Sequence, residues 1–174
     1  MRRTRSDSVG HMREVTEAEL RGCFVNATRR ELEQLPMPGL HETIWADREY
    51  LGWRDPRSSR LGYMVHWRED ELIGIVVRAA PGGLRPGIAA MCSLCHSTQP
   101  ATQVRMFSAR LAGLDGDTGS SIGTYICDAL DCSHIIRTGP PHLITSDRIA
   151  SRSEALLGRV SRFAARVERA IRES

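Results

Sequence analysis

The spacing of apolar positions changes along the chain, and each change predicts a different kind of element. Leu20, Cys23, Phe24 and Ala27, and then Leu32 and Leu35, recur at helical spacing and place buried faces on two short helices. Each helix opens on a capping box, Thr16 with Glu19 and Thr28 with Glu31, in which a hydroxyl and a carboxylate satisfy N–H groups that the first turn leaves free. Val15 and Leu20 add a hydrophobic staple, so the first helix begins at Glu17, while Pro36 and Pro38 stop the second. Residues 45–56 mix the aromatic anchors Trp45, Tyr50 and Trp53 with turn chemistry. Residues 61–67 and 72–77 then read as two strands joined by the charged turn Arg68-Glu-Asp-Glu71, with further strands at 104–110 and 122–126. From Thr145 onward helical spacing returns. Ile149, Leu156, Val160, Phe163, Val167 and Ile171 form one apolar stripe on the longest helix, capped by Thr145 or Ser146. The fold class is therefore α+β, a small antiparallel sheet with flanking helices and a long C-terminal helix.

Composition adds a size and a location. A chain of 174 residues with 41% hydrophobic content can bury one real core, and no apolar run approaches a membrane span. With no secretory signal, the expected location is the cytoplasm. All 24 basic residues are arginine. Residues 1–146 hold 17 Arg against 17 acids, so the net charge of +3 arises entirely in residues 147–174, where seven Arg face four acids. The expected organisation is a disordered leader over 1–11, one structured unit over 12–142, and an amphipathic helix over 143–174, separable at Gly139-Pro140-Pro141. On that helix Arg148, Arg152, Arg159, Arg162, Arg166 and Arg169 surround the apolar stripe, either as a solvated face or as a surface for RNA or a partner.

The candidate chemistry lies between those elements. Four of the five cysteines stand as Cys92-x2-Cys95 and Cys127-x4-Cys132, the arithmetic of a four-thiolate site, in which two short turns each offer two sulfurs to one tetrahedral ion. Iron fits the same ligands by spacing, whereas disulfides would need an oxidising compartment. The reading adopted is one structural zinc. A strand delivering Cys127, a knuckle at Cys92 to Cys95, and a short helix N-capped by Asp128 or Asp131 and carrying Cys132 in its first turn make a treble-clef finger. Cys23 stands apart as a small buried residue. His96 and His134 flank the pairs, but four thiolates already fill a tetrahedron and leave no open position for water. Gly119-Ser-Ser-Ile-Gly123 matches a nucleophile-elbow pattern yet precedes a strand instead of following one. Asp115-Gly-Asp117 begins like a calcium loop without its closing glutamate, and reads as a turn. No phosphate-binding loop or activated nucleophile appears, so neither enzyme activity nor a small-molecule substrate is expected.

Met91-Cys-Ser-Leu-Cys95, Ile122-Gly-Thr-Tyr-Ile-Cys127, Cys23-Phe-Val-Asn26 and Leu51-Gly-Trp-Arg-Asp-Pro56 together resemble the FBP-domain family. That family shares its zinc-binding C-terminal domain with the FusB-type proteins, which bind elongation factor G and protect translation from fusidic acid. The resemblance spans roughly residues 15–137. FusB-type proteins carry a helical bundle ahead of the zinc domain, for which this chain has too few residues, and their second ligand pair can include a histidine where Cys127 stands here. The resemblance implies zinc on Cys92, Cys95, Cys127 and Cys132, elongation factor G as partner, association on the ribosome, and relief of fusidic acid inhibition. Leu94 and His96 on the first knuckle, and Arg110 and Tyr125 on the adjoining strands, are the candidate contacts. The competing expectation is an RNA- or ribosome-binding zinc finger acting through the arginine-rich helix, its guanidinium groups neutralising phosphates.

Overall fold

The computed structural model describes residues 11–111 and 119–174; the leader apart from His11, and Asp115-Gly-Asp117, lie outside them. Both capping boxes form as the pattern predicts. Thr16 opens α1 (Glu17–Gly22) and Thr28 opens α2 (Arg29–Glu33), each hydroxyl accepting from the N–H three residues on. Helix α1 stops earlier than the apolar spacing suggests. At Cys23 the chain straightens against strand β3 (Glu71–Ala79), where Val25 N–H donates to the Gly74 carbonyl and Gly74 N–H to the Cys23 carbonyl, both at 2.9 Å. A Cβ on Gly74 would sit 2.7 Å from Cys23 Sγ, so only glycine admits this approach.

Strands β1 (Leu51–Arg54), β2 (Leu61–Arg68), β3, β6 (Val104–Arg110) and β7 (Ser121–Cys127) form one sheet in the order β1-β2-β3-β6-β7, with every neighbouring pair antiparallel. Strand β1 stands where the sequence predicts only turns and aromatic anchors, because four residues are too few to establish an alternation. A separate hairpin, β4 (Ala89–Met91) with β5 (Thr98–Pro100), frames the first knuckle. The sheet is two long hairpins meeting at a narrow seam. Between β3 and β6 Arg78↔Ser108 and Ala79↔Phe107 pair, and just past β3 the Ala80 N–H donates to the Met106 carbonyl (2.9 Å). Beyond them the side chain of Asn26 fills the fork. Its amide donates to the Val76 carbonyl (2.9 Å) and the Arg110 carbonyl (3.1 Å), and its oxygen accepts from Val76 N–H (2.8 Å).

The two faces have different cover. Leu20, Cys23, Leu51 and Val65 pack with partly buried Phe24, Trp53, Trp67 and Leu72 on the side of the N-terminal helices. On the other face Met64, Ile75, Val77, Phe107 and Ile126 form one continuous core with the four paired cysteines and with α4 (Ser146–Glu173), capped by Thr145. Leu156, Val160, Phe163 and Val167 are all buried there. The tail helix thus does not stand apart after Gly139-Pro140-Pro141: its apolar stripe completes the main core. A buried polar network ties it in. Glu49 accepts from Ser153 Oγ (2.6 Å) and from both terminal nitrogens of Arg137 (2.7 and 3.1 Å), while its N–H donates to Ser133 Oγ (3.0 Å). Burial pushes the Glu49 carboxyl up, but the hydrogen bonds from Arg137, Ser153 and Ser133 and the Arg137 charge outweigh it, so it stays ionised below its ordinary value.

Candidate metal centre

Each cysteine is placed by an element that ends where the sulfur is needed. Cys92 follows β4 and Cys95 closes a tight turn: His96 N–H donates to the Cys92 carbonyl (2.9 Å), Cys92 N–H to the Ser97 carbonyl (3.2 Å), and His96 takes a positive φ of 56°. The turn aims Leu94 N–H and Cys95 N–H at Cys92 Sγ, both at 3.4 Å. Cys127 ends β7, opposite Val104. A second tight turn, with Leu130 N–H on the Cys127 carbonyl (2.8 Å) and Leu130 at φ 56°, leads to α3 (Cys132–Ile135), which starts on the fourth sulfur. Asp131 holds the N-cap position without a side-chain bond, and Asp128 is turned away to Arg54 (3.1 Å) and Arg105 (2.9 Å).

All four sulfurs are buried and lie within 4.8 Å of one another, with Cys92–Cys132 and Cys95–Cys127 each at 3.6 Å. Zinc–sulfur bonds of about 2.3 Å in a tetrahedron separate the sulfurs by about 3.8 Å, whereas a disulfide brings them to about 2.05 Å. The cysteines are free thiols arranged for one ion. The donors around them fit a thiolate site. Besides the two knuckle N–H groups, Gln99 Nε2 donates to Cys127 Sγ at 3.2 Å. The Tyr50 hydroxyl is buried without a hydrogen-bond partner among the described residues, its acidity suppressed by burial and by the nearby Cys132 sulfur. Four thiolates around a divalent ion carry a net double negative charge, so donors aimed at sulfur are what the site requires.

The sheet and α4 hold the two turns in register. A Cβ on Gly52 would stand 2.3 Å from the Leu130 carbonyl oxygen, so β1 needs glycine there for the second turn to seat. Arg54, two residues on, donates to the Asp128 carbonyl (2.8 Å). Gly52 and Arg54 of β1 are therefore the cradle of the second turn. From the opposite side Arg152 donates to the Ile136 carbonyl (3.0 Å) and Ser97 Oγ (2.7 Å), and Arg159 to the Leu94 carbonyl (2.8 Å).

The sequence profile of the FBP C-terminal treble-clef zinc-finger family matches residues 19–167. The chain belongs to that family. The match extends to Val167, the last buried position of α4's stripe in the core, so this FBP-family chain carries the helix within the family's fold. Its structure is similar to that of the fusidic acid resistance protein FusC, with a TM-score of 0.53 and 17% identity, covering 89% of this chain and 59% of that one. At this identity the likeness is one of fold, and the chain spans about three-fifths of the other protein's length. No curated protein matches the chain in sequence.

The remaining expected residues scatter. His96 and His134 are exposed and outside the sulfur cluster, and Cys23 is a buried thiol pushed up to about 12 by burial. Leu94, expected on the surface of the knuckle, is 3% exposed and packs in the core, because the knuckle must cover its own sulfurs. Tyr125 is 38% exposed, and Arg110 is half-buried on the same strand pair, near Glu31. Gln99 has no place in the sequence reading, while Tyr50, read as an aromatic anchor, and Arg152 and Arg159, read as part of the last helix's arginine face, stand at the metal centre unforeseen. A glutamine four residues beyond a knuckle carries no signal of its own.

Proposed function

We propose that the chain is a non-catalytic, zinc-stabilised binding module that docks on elongation factor G in the cytoplasm and relieves inhibition by fusidic acid. One observation carries the reading beyond family membership. Among the described residues the apolar N-terminal layer packs on β1 to β3 and reaches β6 only at Arg110, leaving an outer face of β6 and β7, beside the first knuckle, that presents Tyr125 with the paired Met106 and Ser108 opposite Gly123. Met91, at the base of the knuckle, is 56% exposed. An aromatic ring and a methionine on a rigid scaffold suit a protein interface, since a preformed surface lowers the ordering cost of association. Four sulfurs closing a tetrahedron agree with a structural role for the ion.

The test is retention of elongation factor G from the same organism by immobilised, zinc-loaded full-length protein, with and without ribosomes. Retention at micromolar concentration is expected, weakened about tenfold by Tyr125→Ala if the ring contributes about 1.4 kcal/mol. No retention on or off the ribosome would overturn the reading.

A further inference from the structure

Elsewhere in the molecule several arginines stand beside carboxylates: Arg13 with Asp70 (2.9 Å), Arg21 with Glu17 (2.9 Å), Arg105 with Asp128 (2.9 Å), and Arg78 with Glu31. Helix α4 instead gathers its arginines on one side. Arg148, Arg152, Arg159, Arg162, Arg166 and Arg169 fall three, four or seven apart and so share one side of the helix; Asp147, Glu154 and Glu168 fall outside that stripe, and Glu173 joins it only at the helix's last residue. Glu168 is turned to Arg68 (2.6 Å). Arg152 and Arg159 are engaged with the knuckles, but Arg162 and Arg166 are exposed and have no ion-pair partner among the described residues. They flank a groove of about 250 Å³ between α4 and the first knuckle, walled by Ser93, Thr124 and Arg159, with no carboxylate in its lining.

We propose that this groove binds the phosphodiester backbone of an RNA strand. Its two apolar lining residues, Leu94 and Phe163, are buried, so it offers no apolar anchor of the kind that centres a protein interface. What faces outward is guanidinium and hydroxyl, the groups that contact phosphates, and hydroxyls can also meet a ribose 2′-OH. The site lies across the sheet from the outer face of β6 and β7, and so is distinct from the proposed protein-binding surface.

The experiment measures binding of a labelled oligouridylate to zinc-loaded full-length protein across a range of salt, for the wild type, Arg162→Gln/Arg166→Gln, and Arg29→Gln/Arg30→Gln, the last pair exposed on α2 and removing the same charge elsewhere. Zinc content and melting temperature confirm that each variant is folded. In the groove variant we expect affinity at low salt to fall at least about fivefold and the log–log salt slope to become shallower by about 1.4, roughly 0.7 for each phosphate no longer neutralised. The α2 variant should follow the wild type. Equal weakening in both variants would assign the effect to net charge and overturn the proposal. No wild-type binding at low salt, an unaffected groove variant, or equal competition by oligoglutamate or by the deoxy strand would likewise overturn it.

Discussion

Single side chains around the sulfurs set how firmly the site is held. Gln99 is the one side-chain nitrogen that bonds a cysteine sulfur among the described residues, and a leucine in its place would fill a similar volume while removing the donor. In Gln99→Leu we expect zinc affinity to fall by about tenfold or more and transfer to a chromogenic chelator to accelerate, with secondary structure unchanged. Unchanged transfer would mean that the backbone donors suffice. A second residue acts through pH. His66 is buried, its Nε2 has no partner among the described residues, and burial with the nearby Arg68 charge lowers its pKa from 6.5 to about 4. The folded state thus favours the neutral ring, and the unfolded state binds the extra proton as pH falls below 6.5. Stability is full above that value and declines between 6.5 and 4, by about 3 kcal/mol at the lower end. Denaturant titrations at a series of pH values should show this slope reduced in His66→Gln, although protonation of the cysteines remains in both proteins. Neither residue is legible in the sequence, since a glutamine in a short strand and a histidine among strand residues look the same whether buried or exposed. The cysteines are legible because their spacing carries the geometry.

At the scale of elements, the apolar periods locate β2, β3, β6, β7 and α4, and the capping boxes locate two helix starts to the residue. Periodicity fails where tertiary pairing overrides it, at Cys23 to Asn26, which leave the helix to join β3, and where β1 is too short to alternate. It also reports that α4 has an apolar stripe without saying what the stripe covers. That stripe lies in the core beside the sulfurs, and the helix's Arg152 and Arg159 hold both knuckles. Removing residues 146–174 should therefore yield protein that neither folds cooperatively nor retains zinc, in place of a separable tail. Phe163→Ala, a milder change, should cost about 3–5 kcal/mol in denaturant unfolding. A truncated protein with full zinc content and a sharp thermal transition would refute this account.

For the whole molecule, the metal and the fold are coupled. Cys92 and Cys132 are 40 residues apart in sequence, and their sulfurs sit in the same hydrophobic core as β3 and α4. Structural zinc in such sites is worth about 10–16 kcal/mol at neutral pH, comparable to or larger than the whole stability of about 5–15 kcal/mol of an ordinary domain. One zinc per chain is expected by elemental analysis. A strong chelator should bring loss of cooperative thermal unfolding as well as loss of metal, since the four-cysteine cluster cannot come apart without opening the shared core.

The seam between the two hairpins has its own signature in time. Sheets ordinarily exchange their amide hydrogens from the edges inward, the centre being slowest. Here the centre is joined by two residue pairs, by the Ala80 N–H on the Met106 carbonyl and by Asn26, while each hairpin to its side pairs over seven or eight residues. In Asn26→Ala, hydrogen exchange should quicken first at Val76, in the middle of the sheet, while the amides shared between β2 and β3 hold. The sheet would come apart like a book opening at its spine.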